Sequence, residues 1–201
     1  HTPEDVEQVK RALHIMPEDI GGRKIVLYAP TWRDNQHDSA DGYSYQLGVD
    51  FARLRQALGE ECIILFRAHY LVANQFDFAA YEGFVWDVSQ YPDINELYVV
   101  SDLLITDYSS VFFDYANLKR PILFYMYDLA AYRDDIRGFY LDLKELPGSI
   151  VETEEALIQA IPQALEQDAY DEKYQRFHAR FNALDDGHAS ERVVKRLLET
   201  K

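Results

Sequence analysis

The 201-residue chain has one cysteine and nine glycines, and each scarcity closes off a class of chemistry. A lone Cys62 makes a disulfide framework impossible and rules out a cysteine-based zinc site. It opens an apolar run and reads as a buried structural thiol. Neither a P-loop nor Gly-x-Gly-x-x-Gly occurs, which argues against a dinucleotide dehydrogenase. A hydrolase nucleophile elbow wants Gly-x-Ser-x-Gly, and Asp107-Tyr-Ser-Ser-Val111 supplies neither glycine. No His-x-x-x-His spacing is present, and neither a metal nor a cofactor is expected. No apolar run approaches the ~20 residues of a membrane span, and no signal-peptide pattern opens the sequence. Positive charge is also short: 20 Lys and Arg face 35 Asp and Glu, a net charge of −15, which speaks against a broad nucleic-acid footprint. A small anionic ligand feels only a local cluster. Arg33, Arg67, Lys119, Arg120, Arg133 and Arg137 all lie in or beside the central motif region.

What is present is an alternation of short apolar runs and helical periodicity. Buried strands are expected at 24–29, 62–66, 84–86, 103–105 and 121–125, with a last short one at 150–151. Helices are expected between them at 49–58, 94–100 and 111–118, and three more close the chain at about 154–166, 170–182 and 189–199. That order predicts an α/β fold, a Rossmann-like, doubly wound parallel sheet. Residues 1–22 read as a helix and a Pro17/Gly21-Gly22 loop with nothing to nucleate a sheet. They are expected to be a linker leaving something upstream, followed by one domain over 23–201. The polar, turn-rich stretch 31–48 is a long loop of the kind that often carries function.

The most informative segment is 101–114. The run Leu103-Leu104-Ile105 ends at Thr106-Asp107-Tyr108, and Ser109-Ser110 then opens a helix. Serine at such a position is most often only a cap. Two hydroxyls beside unpaired first-turn N–H groups also make a ready anion site. In open α/β sheets, ligands sit outside the carboxyl ends of the strands. The other strand ends carry matching chemistry. Thr31 and Arg33 follow the first strand, and the guanidinium fork suits a phosphate. Arg67 and His69 follow the second, two residues apart and so on the same side of an extended chain. Asp114, one turn into the helix, is placed to orient the serine loop rather than to react. His188 and Ser190 stand at the start of the last helix, and Arg137 lies in an irregular stretch that could form a lip.

Taken together, Tyr28-Ala-Pro-Thr-Trp-Arg33, Arg67-Ala-His69, the segment 101–114, Lys119-Arg-Pro121, Arg137-Gly-Phe-Tyr140 and Asp186-Gly-x-Ala-Ser190 resemble the CDP-glycerol glycerophosphotransferases, the teichoic acid polymerases and primases. The resemblance runs from about Lys24 to Leu198; one departure is Tyr70, where the family usually has Pro. It implies that the chain is the C-terminal, nucleotide-donor-binding half of a GT-B-type fold. The implied reaction is transfer of glycerol phosphate from CDP-glycerol to a hydroxyl of a lipid-linked teichoic acid acceptor, with release of CMP. The implied site uses Arg67 and His69 as catalytic residues. Thr31, Arg33, Thr106, Ser109, Ser110, Asp114, Arg137, His188 and Ser190 would bind the substrate. The acceptor would be held by the missing N-terminal half, so the isolated domain is expected to bind without turnover. The protein would work peripherally at the cytoplasmic face of the cell membrane. Two other readings compete: the donor domain of a nucleotide-sugar glycosyltransferase, and a non-catalytic nucleotide-binding module.

Overall fold

The computed structural model describes residues 2–31, 37–38, 42–43, 48–68, 77–133 and 141–199. Its centre is a six-stranded sheet made of β1 (Lys24–Tyr28), β4 (Cys62–Phe66), β5 (Val85–Asp87), β6 (Leu103–Thr106), β7 (Ile122–Tyr125) and β8 (Ser149–Val151). A separate two-stranded antiparallel pair, β2 (His37–Asp38) and β3 (Gly42–Tyr43), lies in the loop after β1. Every pairing in the six-stranded sheet is parallel, in the order β5-β4-β1-β6-β7-β8. The chain therefore steps outward from β1 to β5, returns to pair β6 on the other side of β1, and steps outward again. The two halves diverge between β1 and β6, and in open α/β sheets a reversal of this kind marks the ligand-binding crevice, at the carboxyl ends of the strands.

The strand sequences explain why the sheet is covered on both faces. Each is a continuous apolar run, the pattern of a strand with no solvent side. Ile25, Leu27, Ile63, Leu65, Leu104, Ile122 and Phe124 point to one face. Val26, Tyr28, Ile64, Phe66, Leu103, Ile105, Leu123 and Tyr125 point to the other. The first face is covered by α1 (Pro3–Ala12), α4 (Ile94–Val100), α5 (Val111–Tyr115) and α8 (Glu172–Phe181) through Val9, Leu97, Phe112, Tyr115, Tyr174 and Phe177. The second is covered by α3 (Phe51–Leu58) and α7 (Glu154–Glu166) through Leu54, Leu58, Leu157 and Ile161. Short helices α2 (Pro17–Ile20) and α6 (Leu129–Ala131) fill the connections, and α9 (Ala189–Glu199) ends the fold.

The opening residues carry the expected helix, and it packs on the domain. Thr2 and Asp5 form a capping box, and the helix places Val9 in the core, followed by Ile15 and Ile20. The apolar positions of 1–22 are too sparse to announce this, but three of them are enough to seat a helix against α4. At the opposite edge, Gly148 is set by close approach: a Cβ there would lie 1.9 Å from the Ile122 carbonyl oxygen.

Candidate functional site

The crevice between β1 and β6 is built from two loops that are tied to each other before anything is bound. Strand β1 leaves the sheet at Ala29-Pro30-Thr31, and β6 leaves at Thr106-Asp107-Tyr108. Thr106 is fully buried, and its hydroxyl donates to the Ala29 carbonyl at 2.8 Å. The next residue, Asp107, is 2% exposed. Its Oδ1 accepts from the Thr31 N–H at 2.8 Å, the Thr31 hydroxyl at 2.5 Å and the Tyr108 N–H at 2.6 Å. Thr31 therefore lies at the crevice, with its hydroxyl proton directed to a carboxylate rather than outward. The Thr106 hydroxyl likewise faces inward and joins the loops rather than opening to a ligand.

Beyond Asp107 the chain presents the serine pair. Ser109 is half-buried and its Oγ accepts from the Val111 N–H at 3.4 Å; Ser110 is exposed, takes the cap position of α5 and makes no side-chain cap bond. The helix continues to Tyr115 and through a 3₁₀ turn over Ala116–Leu118, as the sequence suggested. The loop is braced sideways as well: the Tyr108 hydroxyl donates to Asp128 at 2.9 Å, and its ring stacks on Tyr132 with centroids 3.5 Å apart.

Arg67 follows β4, next to β1, and so shares this edge. Its Nη1 donates to the carbonyls of Val88 at 3.1 Å and Tyr91 at 2.7 Å. Burial lowers its pKa from the ordinary guanidinium value, opposed by Tyr98 and Asp93. Among the described residues only Nη1 is engaged. The Nε–Nη2 edge, which fits a phosphate bidentately, belongs to the same half-buried fork. Tyr98 lies within electrostatic reach of both Arg67 and Asp114, and burial raises its pKa. Asp114 has its own carboxyl raised, first by desolvation and then by the Asp185 charge.

Asp185 belongs to the turn that carries the last two candidates. Asn182 donates to the Phe113 carbonyl at 2.8 Å and to Asp185 at 3.0 Å, and Asn117 donates to Asp185 at 3.2 Å. These bonds latch the α8–α9 turn onto α5. His188 and Ser190 sit beyond the latch and are exposed, with His188 Nδ1 3.2 Å from Glu191. Arg33, His69 and Arg137 lie outside the described residues. Among the described residues, two of the six basic side chains in the motif region lie away from this edge. Lys119 and Arg120 precede β7 and therefore stand at the amino edge. There Arg120 donates to the carbonyls of Val99 and Ser101, and Lys119 lies 4.9 Å from the Tyr170 ring centroid. They are near the serine loop in sequence, but one helix separates the two ends of the sheet. Conversely, Asp107 and Tyr108 end the strand as a plain polar stop, and only the structure shows what they hold.

A parallel sheet of this order, with polar loops at its reversal, defines a doubly wound α/β domain of the ligand-binding kind. The chain belongs to the CDP-Glycerol:Poly(glycerophosphate) glycerophosphotransferase family, whose model matches residues 1–199. It is 48% identical over 200 residues to the teichoic acid poly(glycerol phosphate) polymerase of Bacillus subtilis (strain 168), covering 98% of this chain and 26% of that protein. It is 46% identical over 198 residues to the teichoic acid glycerol-phosphate transferase of Staphylococcus aureus (strain NCTC 8325 / PS 47), covering 98% of this chain and 49% of that protein. Among solved structures it superposes on the wall teichoic acid polymerase TagF with a TM-score of 0.84 at 38% identity, over 98% of this chain and 47% of that one. A variant of TagF soaked with CDPG matches with a TM-score of 0.80 over 98% of this chain and 46% of that one. The chain thus spans about half or less of the length of these relatives.

Proposed function

We propose that this chain is the donor-binding half of an enzyme that transfers glycerol phosphate from CDP-glycerol to a hydroxyl of a lipid-linked teichoic acid acceptor. The observation that carries the reading is the strand reversal between β1 and β6, with Thr31, Ser109 and Ser110 gathered at its carboxyl edge and Arg67 beside it. In this reading the acceptor oxygen attacks the glycerol-bearing phosphorus. A new P–O bond forms, the bond to the bridging oxygen breaks, and CMP departs with the electron pair. Phosphoryl transfer of this kind asks mainly for positioning and charge neutralisation.

Ser109 and Ser110, with the first N–H groups of α5, would hold the pyrophosphate. The Nε–Nη2 edge of Arg67 would neutralise it, and His69 would relay the proton released by the acceptor hydroxyl to the departing phosphate. Arg33 and Arg137 would add charge from the loops that carry them. His188 and Ser190 would reach the donor from the α5-latched turn. Thr106 and Asp114 act from behind, Thr106 by tying the loops and Asp114 by orienting α5. A second Rossmann-like domain facing this one, in a GT-B arrangement, would present the acceptor. Because that acceptor is lipid-linked, the enzyme would work peripherally at the cytoplasmic face of the membrane; no described helix is long and apolar enough to cross one.

Calorimetric titration with CDP-glycerol, CMP and UDP-glucose tests the reading. A clear preference for the cytidine ligands, lost in Ser109→Ala, is expected. Preference for UDP-glucose would transfer the site to a nucleotide-sugar glycosyltransferase. Tight donor binding without turnover in the complete polypeptide would make it a non-catalytic module.

A further inference from the structure

We propose that Asp107 is a positioning residue for the donor site, holding the loops after β1 and β6 in one fixed relation through Thr31 and Tyr108. The inference rests on the donor-binding reading above and adds a role that the motif itself does not assign. A carboxylate taken out of water is costly unless donors surround it. Asp107 is 2% exposed, and three donors converge on its Oδ1. Ending a strand does not require such a group. What distinguishes this one is where its donors come from: two belong to Thr31 on one side of the crevice and one to Tyr108 on the other.

The rest of the local structure removes slack around that clamp. Thr106 fixes Ala29 from the same strand end, so residues 29 and 31 of one loop are bound by residues 106 and 107 of the other. Pro30, between them, has a locked φ and no N–H. On the far side, Tyr108 is held by Asp128 and Tyr132, and the serine pair begins with the next residue. A displacement of Tyr108 is therefore passed directly to Ser109. Asp107 acts on the donor through these neighbours rather than by contact, and charge-assisted bonds of this kind give geometry as well as strength. Since a nearby carboxylate also repels a bound pyrophosphate, the positioning and charge roles make opposite predictions for a neutral isostere.

The test compares the wild type, Asp107→Asn, Thr31→Val and the double variant in the complete polypeptide that carries this chain. CDP-glycerol affinity is measured by calorimetry, well below each variant's melting temperature, with KM and kcat alongside. The expected result is that Asp107→Asn weakens donor binding about tenfold and raises KM while kcat moves less than about threefold. The double variant should lose less than the product of the two single effects, because the bond from the Thr31 hydroxyl to Asp107 is removed or weakened in both. A folded Asp107→Asn that binds within about twofold of wild type, or binds more tightly, overturns the proposal, as do effects that multiply. A role confined to stability would lower the melting temperature and leave the affinity of the folded protein unchanged. Should Asp107→Asn not fold, Thr31→Val, at a half-buried position, carries the same test, and unchanged affinity there overturns the proposal. A wild type that fails to bind CDP-glycerol removes the donor reading itself, and this inference with it.

Discussion

Helices α8 and α9 follow one another, are both amphipathic, and end in opposite environments. Helix α8 begins at an Asp171 cap and turns Tyr174 and Phe177 into the core. There Phe177 meets the rings of Phe112, Phe113 and Phe181, and the Tyr174 hydroxyl donates to the Arg120 carbonyl. Helix α9 carries an equally regular stripe, with Val193 above Leu197 and Val194 above Leu198, yet buries no residue at all. These four side chains are 55–68% exposed. The apolar pattern of a helix states that a face wants covering; it does not state what covers it. The stability of this chain is therefore expected to depend on α8 and to be nearly indifferent to α9.

The largest effect should come from Phe177→Ala. It removes a ring packed at 2% exposure among three others and should cost about 3–5 kcal/mol in urea or guanidinium unfolding. A loss below about 1 kcal/mol would mean that α8 is as loosely held as α9. Alkaline pH should next erode the packing on the opposite face of the sheet, where Cys62 is buried. Burial pushes the Cys62 thiol from 9.0 up to about 12, so the folded sheet keeps a proton that the unfolded chain releases. The stability contributed by that difference is complete below pH 9 and is lost as pH rises toward 12. On the order of 1–3 kcal/mol of the loss across this window should be missing in Cys62→Ala, read as the unfolding midpoint against pH. The remainder should come from buried tyrosines such as Tyr98, Tyr115 and Tyr174, whose pKa is also raised by burial. Thiol reagents should label Cys62 only on unfolding. No corresponding pH dependence is expected from variants of α9.

The same contrast explains which parts of the molecule were legible from residue order. Six apolar runs gave the strands, because a strand buried on both faces has no polar interruption to blur it. The order β5-β4-β1-β6-β7-β8 is of the doubly wound kind that alternating buried strands and helices announce. The serine pair was visible because a hydroxyl pair at a strand-to-helix junction is chemically pointed. Asp107 was visible only as one of three acidic residues in 102–114. Its meaning depends on Thr31, a residue 76 positions away, and no local pattern carries that distance. The packing of 1–22 was hidden for the same reason: Val9, Ile15 and Ile20 are unremarkable singly and become a seat only when α4 is beside them. Lys119 and Arg120 lie close to the serine loop along the chain, yet one helix carries them to the amino edge of the sheet, where Arg120 donates to the Val99 and Ser101 carbonyls.

Between the two helices lies the latch, and it should give an intermediate effect. Asn182 is 4% exposed and donates to both the Phe113 carbonyl and Asp185. Asn182→Ala should cost about 1–2 kcal/mol in denaturant unfolding. It should also raise hydrogen exchange in the turn before α9, while exchange in the strands keeps its wild-type pattern. Uniform loss of protection across the sheet would show that the turn is a full part of the core and not a tether.

The smallest effect, and the sharpest test of the comparison, is expected from Leu197→Ser combined with Leu198→Ser. Each side chain is about two-thirds exposed, 68% and 67%, so little apolar area returns to water when the chain unfolds without them. Their exposed positions keep the expected change in the unfolding free energy of the 201-residue chain within about 0.5 kcal/mol. Solubility should rise, because the double change breaks a continuous apolar stripe. If the pair instead destabilised the chain as much as Phe177→Ala does, α9 would have to be folded down against the domain in solution. The difference between the two helices would then vanish.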